Sequence, residues 1–172
     1  ETTGTYQIPE ALSERFMIKH RINFPGHSDL LKIVASSEDR KMHEINIAKV
    51  FSTGELLEYG ERIFELYRQY SGEHSWLVRY GSAIVEWIRE SGFVVLDRAG
   101  LPASPSPRGA EDIKAVARLY AFFEGESVIL PRHVKKAAYP ALRGKFFLNR
   151  DAISQKLNHD DIIAIALSKV PV

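Results

Sequence analysis

The stretch "SPSPRGAEDIKAVARLYAFFEG", residues 104–125, decides how the rest of the chain is read. Pro107 has a fixed φ and no N–H, which suits a first helical position, and Ser106 stands before it as a cap. Ile113, Val116, Ala117, Tyr120 and Phe123 then recur at three- and four-residue spacing, which predicts a helix running to a stop at Gly125. Upstream, "SWLVRYGSAIVEWIRE" (75–90) repeats the pattern with Trp76, Leu77, Tyr80, Ala83, Ile84, Trp87 and Ile88, and Gly92 is placed to end it. That aromatic stripe reads most simply as core. Downstream, Pro131 opens a short helix with an expected exit at Pro140, "FFLNRDAISQK" reads as extended, and Asn158 with Asp161 caps a final helix, "HDDIIAIALSKV".

Nearer the start, Ser28 is the expected cap of a helix reaching about Ser37. "INIAKV" (45–50) reads as a short extended piece. Ser52 and Glu55 have capping-box spacing at the head of "STGELLEYGERIFELYRQY", which Gly60 is placed to break or bend. Residues 93–106 read as a loop. One segment differs in period: in "FMIKHRINF" (16–24), Phe16, Ile18, Ile22 and Phe24 share one face and Lys19, Arg21 and Asn23 the other. Period two predicts a strand, ended by Pro25-Gly26, and a strand needs a partner for its ladder groups. No second convincing strand follows nearby. The expected fold is therefore mainly α, a bundle of helices preceded by one orphan strand.

Composition narrows the function classes. With 45% hydrophobic and 26% charged residues in 172, the chain has enough apolar material for one core of ordinary size. A net charge of +1 gives no overall reason to expect nucleic acid or an anionic membrane as partner. The absence of cysteine excludes disulfides and thiolate chemistry and fits a reducing cytoplasm. No apolar run approaches the roughly 20 residues of a membrane helix. The six histidines show no metal-ligand spacing. "RHVKK" with Arg143 and Lys145 forms a local basic patch, readable as a solvated face or as a phosphate or nucleic-acid contact. The acidic pairs Glu111-Asp112 and Asp160-Asp161 fall in first helical turns, where they suit the helix dipole.

Two motifs carry the reading further. "GTYQIPEALSERF" (4–16) resembles the segment after sensor 1 in MoxR-type AAA+ ATPases, close to G-T-Y-P-L-P-E-A-x-L-D-R-F: Gly4, Thr5, Tyr6, Pro9, Glu10, Ala11, Arg15 and Phe16 fit. "ERF" replaces the usual "DRF", and one residue is missing between Ala11 and Leu12. "SPSPRGAEDIKAVARLYAFFEG" resembles the family's sensor 2 segment, G-x-S-P-R-A before a long helix, with Ser106, Pro107 and Arg108 in place and Gly109 for the common alanine. "VILPRHV" resembles its V-x-P-x-D-V turn, with Arg132-His133 at the acidic positions, and the tail "DDIIAIALSKVPV" resembles its closing I-I-x-x-I-L-x-x-V-P-V. The likeness runs collinearly along the whole chain.

The resemblance implies a C-terminal part of such an ATPase: residues 1–25 ending the AAA+ core with its last strand, and residues 26–172 forming the helical lid with sensor 2. It implies Arg15 as arginine finger and Arg108 as sensor 2, the latter also contacting nucleotide. It further implies ATP and magnesium as cofactors of the parent protein, a homo-oligomeric ring, expected to be a hexamer, and chaperone-like action on a client protein. No G-x-x-x-x-G-K-[S/T] loop and no apolar strand ending in Asp-Glu occurs in the sequence. The segment alone is expected to hold no cofactor and to hydrolyse no ATP. Three other readings stay open: the lid of a magnesium-chelatase-like ATPase subunit, a stand-alone interaction module, and a helical nucleic-acid binder using the basic patch at 132–145. The residues by themselves also allow Arg15 to be a surface arginine before a buried Phe16, and Arg108 a helix-start arginine in a surface salt bridge.

Overall fold

A computed structural model describes residues 10–37 and 48–172. The helices are α1 (Glu10–Ser13), α2 (His27–Ala35), α3 (Thr53–Leu66), α4 (Trp76–Glu90), α5 (Arg108–Phe123), α6 (Pro131–Leu142), α7 (Arg150–Ser154) and α8 (His159–Lys169), with one 3-10 turn at Arg68–Tyr70. Among the described residues there is no sheet, only the isolated antiparallel bridges Val94–Leu148 and Leu96–Pro102. The chain divides into two compact units, one of residues up to His20 with Arg62–Val172, the other Arg21–Glu61.

The core of the larger unit is built on α5, which packs chiefly against α6 and α4. Of the stripe predicted for α4, Leu77, Tyr80, Ile84 and Ile88 are buried; of that for α5, Ile113, Val116 and Ala117 are buried, Tyr120 is half-buried and Phe123 is 76% exposed, while Ala121, outside that stripe, is buried as well. α6 answers with Val134, Ala137, Ala138, Ala141 and Leu142. Small residues on both helices permit a close approach, and Gly109 extends it. A Cβ at Gly109 would meet Leu142 Cδ2 at 3.1 Å and Val85 Cγ2 at 3.3 Å, tight contacts in a filled core. Gly92 and Gly125 end α4 and α5 with φ of 77° and 73°, the left-handed conformation that glycine adopts at least cost.

The capping signals divide. Asn158 Oδ1 accepts from the amides of Asp160 and Asp161, and the Asp161 carboxylate accepts from the Asn158 amide at 2.8 Å, a closed capping box. Ser52 and Glu55 exchange the same pair of bonds at 2.6 and 3.2 Å. Other readings are corrected. Gly26, not Ser28, stands at the N-cap of α2. α3 runs through Gly60 unbroken. Pro107 occupies the cap position and Arg108 the first helical one, with no side-chain cap from Ser106. Pro140 lies inside α6 and does not end it. The missing amide deprives only the carbonyl four residues back, at solvent-exposed Lys136. "FFLNRDAISQK" is extended only at its start, where Leu148 bridges Val94; Asn149 Oδ1 then accepts from the Ala152 amide at 3.0 Å and starts α7. His133, at a family-acidic position, acts as a capping acceptor, its Nδ1 taking the Leu130 amide at 3.0 Å.

The alternating segment 16–24 pairs in no ladder with any described residue. Its apolar members are uncovered, Ile22 at 88% and Phe24 at 82% exposure. The extended piece expected at 45–50 falls largely outside the described residues, and residues 48–50 are irregular. In the smaller unit α2 buries no residue, and Phe51 stacks edge-on against Tyr59 at 5.8 Å.

Asn158→Ala removes the acceptor of two α8 amides. It is expected to lower stability by about 1 kcal/mol, read as a fall in the urea midpoint with unchanged slope.

Candidate functional site

The two arginines singled out by the motifs are both exposed, and among the described residues neither guanidinium makes a hydrogen bond or an ion pair. Arg15 lies in the turn after α1, its amide donating to the Leu12 carbonyl at 3.1 Å. Arg108 is the first residue of α5, behind Pro105 and Pro107. A cation there opposes the helix dipole, which Glu111 in the same first turn suits, and its guanidinium pairs with no carboxylate among the described residues. Arg108 is in no salt bridge among the described residues, and Phe16 beside the surface-exposed Arg15 is 58% exposed, not buried.

What joins the two turns is a polar knot that sequence reasoning missed. The Glu14 carboxylate accepts from the Ser106 amide at 3.1 Å. The Glu14 carbonyl accepts from Lys145 Nζ. Lys145 is 0% exposed and forms an ion pair with Asp112 of α5 at 2.5 Å. Ser13 Oγ donates to the Gly144 carbonyl at 2.9 Å, and the Lys19 amide to the Pro140 carbonyl at 2.8 Å. Arg89 of α4 donates to the Pro105 carbonyl at 2.8 Å and holds the loop before α5 from the other side. The residue before Arg15 is therefore bonded to the residue two before Arg108. A groove of about 720 Å³ opens beside Pro107, between α4 and α5, lined by Arg89, Glu111 and Lys114 among others.

Two readings of individual residues change here. Asp112 is not merely a dipole-favouring acid, and Lys145 is not part of a solvated basic face. Each is buried by the other's element. The remainder of the basic patch is largely neutralised. Arg132 bridges to Glu124 and Glu126, Lys136 to Glu124 at 2.9 Å, and Arg143 to Asp160 at 2.6 Å. Paired cations release few counterions, which removes the main support for a nucleic-acid surface at 132–145. The signal that could have found the knot is weak. A lysine after Gly144, set between apolar Leu142 and Phe146, hints at burial only when its acid is known.

His159 borders the same region. Its ring lies 5.0 Å from that of Phe146, and Nε2 donates to the Phe146 carbonyl at 3.1 Å. Burial lowers its pKa below the usual 6.5, against the opposing pull of the Phe146 carbonyl and Asp160; nearby Lys19 lowers it further. Among the described residues no group of three His, Asp or Glu is placed to hold a metal ion.

No protein-family model matches the chain. It is 26% identical over its whole length to the uncharacterized protein YeaC of Bacillus subtilis, covering 50% of that protein. It is 25% identical over 99% of its length to the chaperone MoxR1 of Mycobacterium tuberculosis, covering 44% of it. A crystal structure from Cytophaga hutchinsonii, described as a candidate ATPase, superposes with a TM-score of 0.74 and 26% identity over 99% of this chain and 51% of that one. The chain thus spans about half the length of the curated relatives it matches.

Two predictions test this geometry. Lys145→Met strands a buried Asp112 carboxylate and should cost about 3 kcal/mol or more in unfolding free energy; adding Asp112→Leu should recover most of it. His159 is held neutral in the fold, so the unfolded state binds more protons as the pH falls. Stability should be full above about pH 6.5 and decline below it. A melting-temperature series in which His159→Asn flattens that decline supports the assignment; an unchanged slope removes it. The mainly helical fold expected from the motifs is present, and the chain is a homologue of the chaperone MoxR1 of Mycobacterium tuberculosis and of the Cytophaga hutchinsonii protein described as a candidate ATPase.

Proposed function

We propose that the chain is the C-terminal part of a MoxR-type AAA+ ATPase, in which residues 1–25 close the nucleotide-binding core and residues 26–172 form its lid. Arg15 serves as arginine finger and Arg108 as sensor 2. Phosphoryl transfer spreads negative charge over the γ-phosphate oxygens, and a fixed guanidinium stabilises that charge. The observation that carries the reading is that both motif arginines stand exposed and unpaired, on turns bonded to one another through Glu14 and Ser106. An unpaired guanidinium beside a helix start has no structural use there, and a phosphate supplies what it lacks.

ATP and magnesium are held by parts of the parent ATPase outside this sequence, which supplies no phosphate-cradling glycine loop. A finger offered to a neighbouring subunit makes turnover depend on assembly of a homo-oligomeric ring, for which a hexamer is the expectation. Hydrolysis then drives chaperone-like remodelling of a client protein, as the name of the MoxR1 relative suggests for that protein. The absence of cysteine suits a cytoplasmic setting, and no helix among the described residues is long and apolar enough to cross a membrane.

In the ATPase that contains this chain, Arg15→Ala is expected to reduce kcat by at least about 1,000-fold, the size of an arginine-finger loss. Arg108→Ala is expected to reduce it substantially as well. Both variants should keep the melting temperature, because both residues are exposed and neither guanidinium bonds to any described residue. Unchanged turnover in both would refute the assignment. The 172-residue chain alone should hydrolyse no ATP.

A further inference from the structure

We infer that Glu14, backed by Lys145 and Asp112, is a positioning residue that sets the Arg15 turn and the Arg108 helix start as one unit. The inference rests on the proposed roles of the two arginines and adds a residue that those roles do not name.

Glu14 is used twice. Its carboxylate takes the Ser106 amide at 3.1 Å, in the loop that launches α5. Its carbonyl takes Lys145 Nζ, the one ammonium in this chain's described core with no exposure. Lys145 in turn is paired to Asp112 at 2.5 Å, one helical turn along α5 from Arg108. The chain therefore closes a loop of contacts: Glu14 to Ser106, through Pro107 and Arg108 to Asp112, then to Lys145 and back to Glu14. A rotation of the Arg15 turn must break a bond to the start of α5 or drag it along. Neither arginine needs to touch the other for this. A surface pair of arginines would hold its geometry poorly, since long side chains on separate turns each carry their own freedom. Tying the Glu14 carbonyl and the Asp112 carboxylate to one buried ammonium limits that freedom at the base. Small displacements matter to catalysis, because a shift near 1 Å can cost on the order of 100-fold in rate.

The geometry distinguishes two variants. Glu14→Ala deletes the acceptor of the Ser106 amide, whereas Glu14→Gln keeps a carbonyl oxygen that can take its place. Both leave the backbone carbonyl that holds Lys145. A role in structure alone would alter melting and little else.

The test has two readouts. In the 172-residue chain, hydrogen exchange at the Ser106 amide should speed up in Glu14→Ala and stay slow in Glu14→Gln. In the ATPase that contains the chain, Glu14→Ala should lower kcat by about tenfold with KM for ATP unchanged, and Glu14→Gln should restore most of it. Wild-type kcat in Glu14→Ala, alongside lost Ser106 protection, overturns the positioning role. So does an equal loss in Glu14→Ala and Glu14→Gln. Arg15→Ala and Arg108→Ala, run beside them, separate the two failures. If those two retain turnover, the arginine roles fall and this inference with them. If those two lose turnover and Glu14→Ala does not, only this inference falls.

Discussion

An ammonium taken out of water must find acceptors, and Lys145 finds two: the Asp112 carboxylate at 2.5 Å and the Glu14 carbonyl. Its position is enforced from both sides. Leu142 and Phe146 on its own segment are buried in the apolar core, so the chain has no register in which Lys145 reaches solvent without exposing one of them. Asp112 sits on the inward face of α5, in step with Ile113 and Val116. The pair therefore fixes the relation between the C-terminal end of α6 and the first turns of α5. Through Glu14 it also recruits a stretch far away in sequence to that same end of the bundle.

That arrangement turns packing into chemistry. α5 is held by close, small-residue contact with α6, with Gly109 allowing Leu142 and Val85 to approach. Its start is further fixed by the Arg89 bond to the Pro105 carbonyl. A helix start so constrained can present a cation in a reproducible place, and the Arg15 turn shares the constraint. Interactions that hold the backbone are partly buried, with Lys145 fully so, while the two guanidiniums make no hydrogen bond or ion pair with any described residue. Under the proposed roles of the two arginines, this division would give a phosphate rigid supports and unsatisfied donors.

Much of this was legible from the sequence, and the parts that were not have physical causes. Helix existence followed from apolar spacing, since α4 and α5 bury most of the residues their period predicts, Phe123 at the exposed end of α5 being the exception. The Asn158–Asp161 and Ser52–Glu55 caps were readable because a capping box is a local interaction between residues three apart. Pro140 was misread because proline's cost inside a helix is one amide, which a well-packed helix absorbs near its end. The extended reading of "FFLNRDAISQK" holds as far as Leu148, which bridges Val94, and fails beyond it because Asn149 is a cap. The alternation of 16–24 is real in the sequence, but a ladder needs a partner that no described residue provides. The arginines came from motif resemblance; their supports did not. Glu14 and Lys145 are 131 residues apart, and no local pattern encodes a contact of that separation.

If Glu14 couples them, the Arg15 turn and the Arg108 helix start move as one body. The chain has no cysteine, so spin labels can be placed at Arg15→Cys and Arg108→Cys with no competing site. A pulsed electron-spin distance measurement on that doubly labelled chain tests the claim directly. One narrow distance distribution, broadened when Glu14→Ala is added, is the predicted result. A broad distribution already present with Glu14 intact would contradict it.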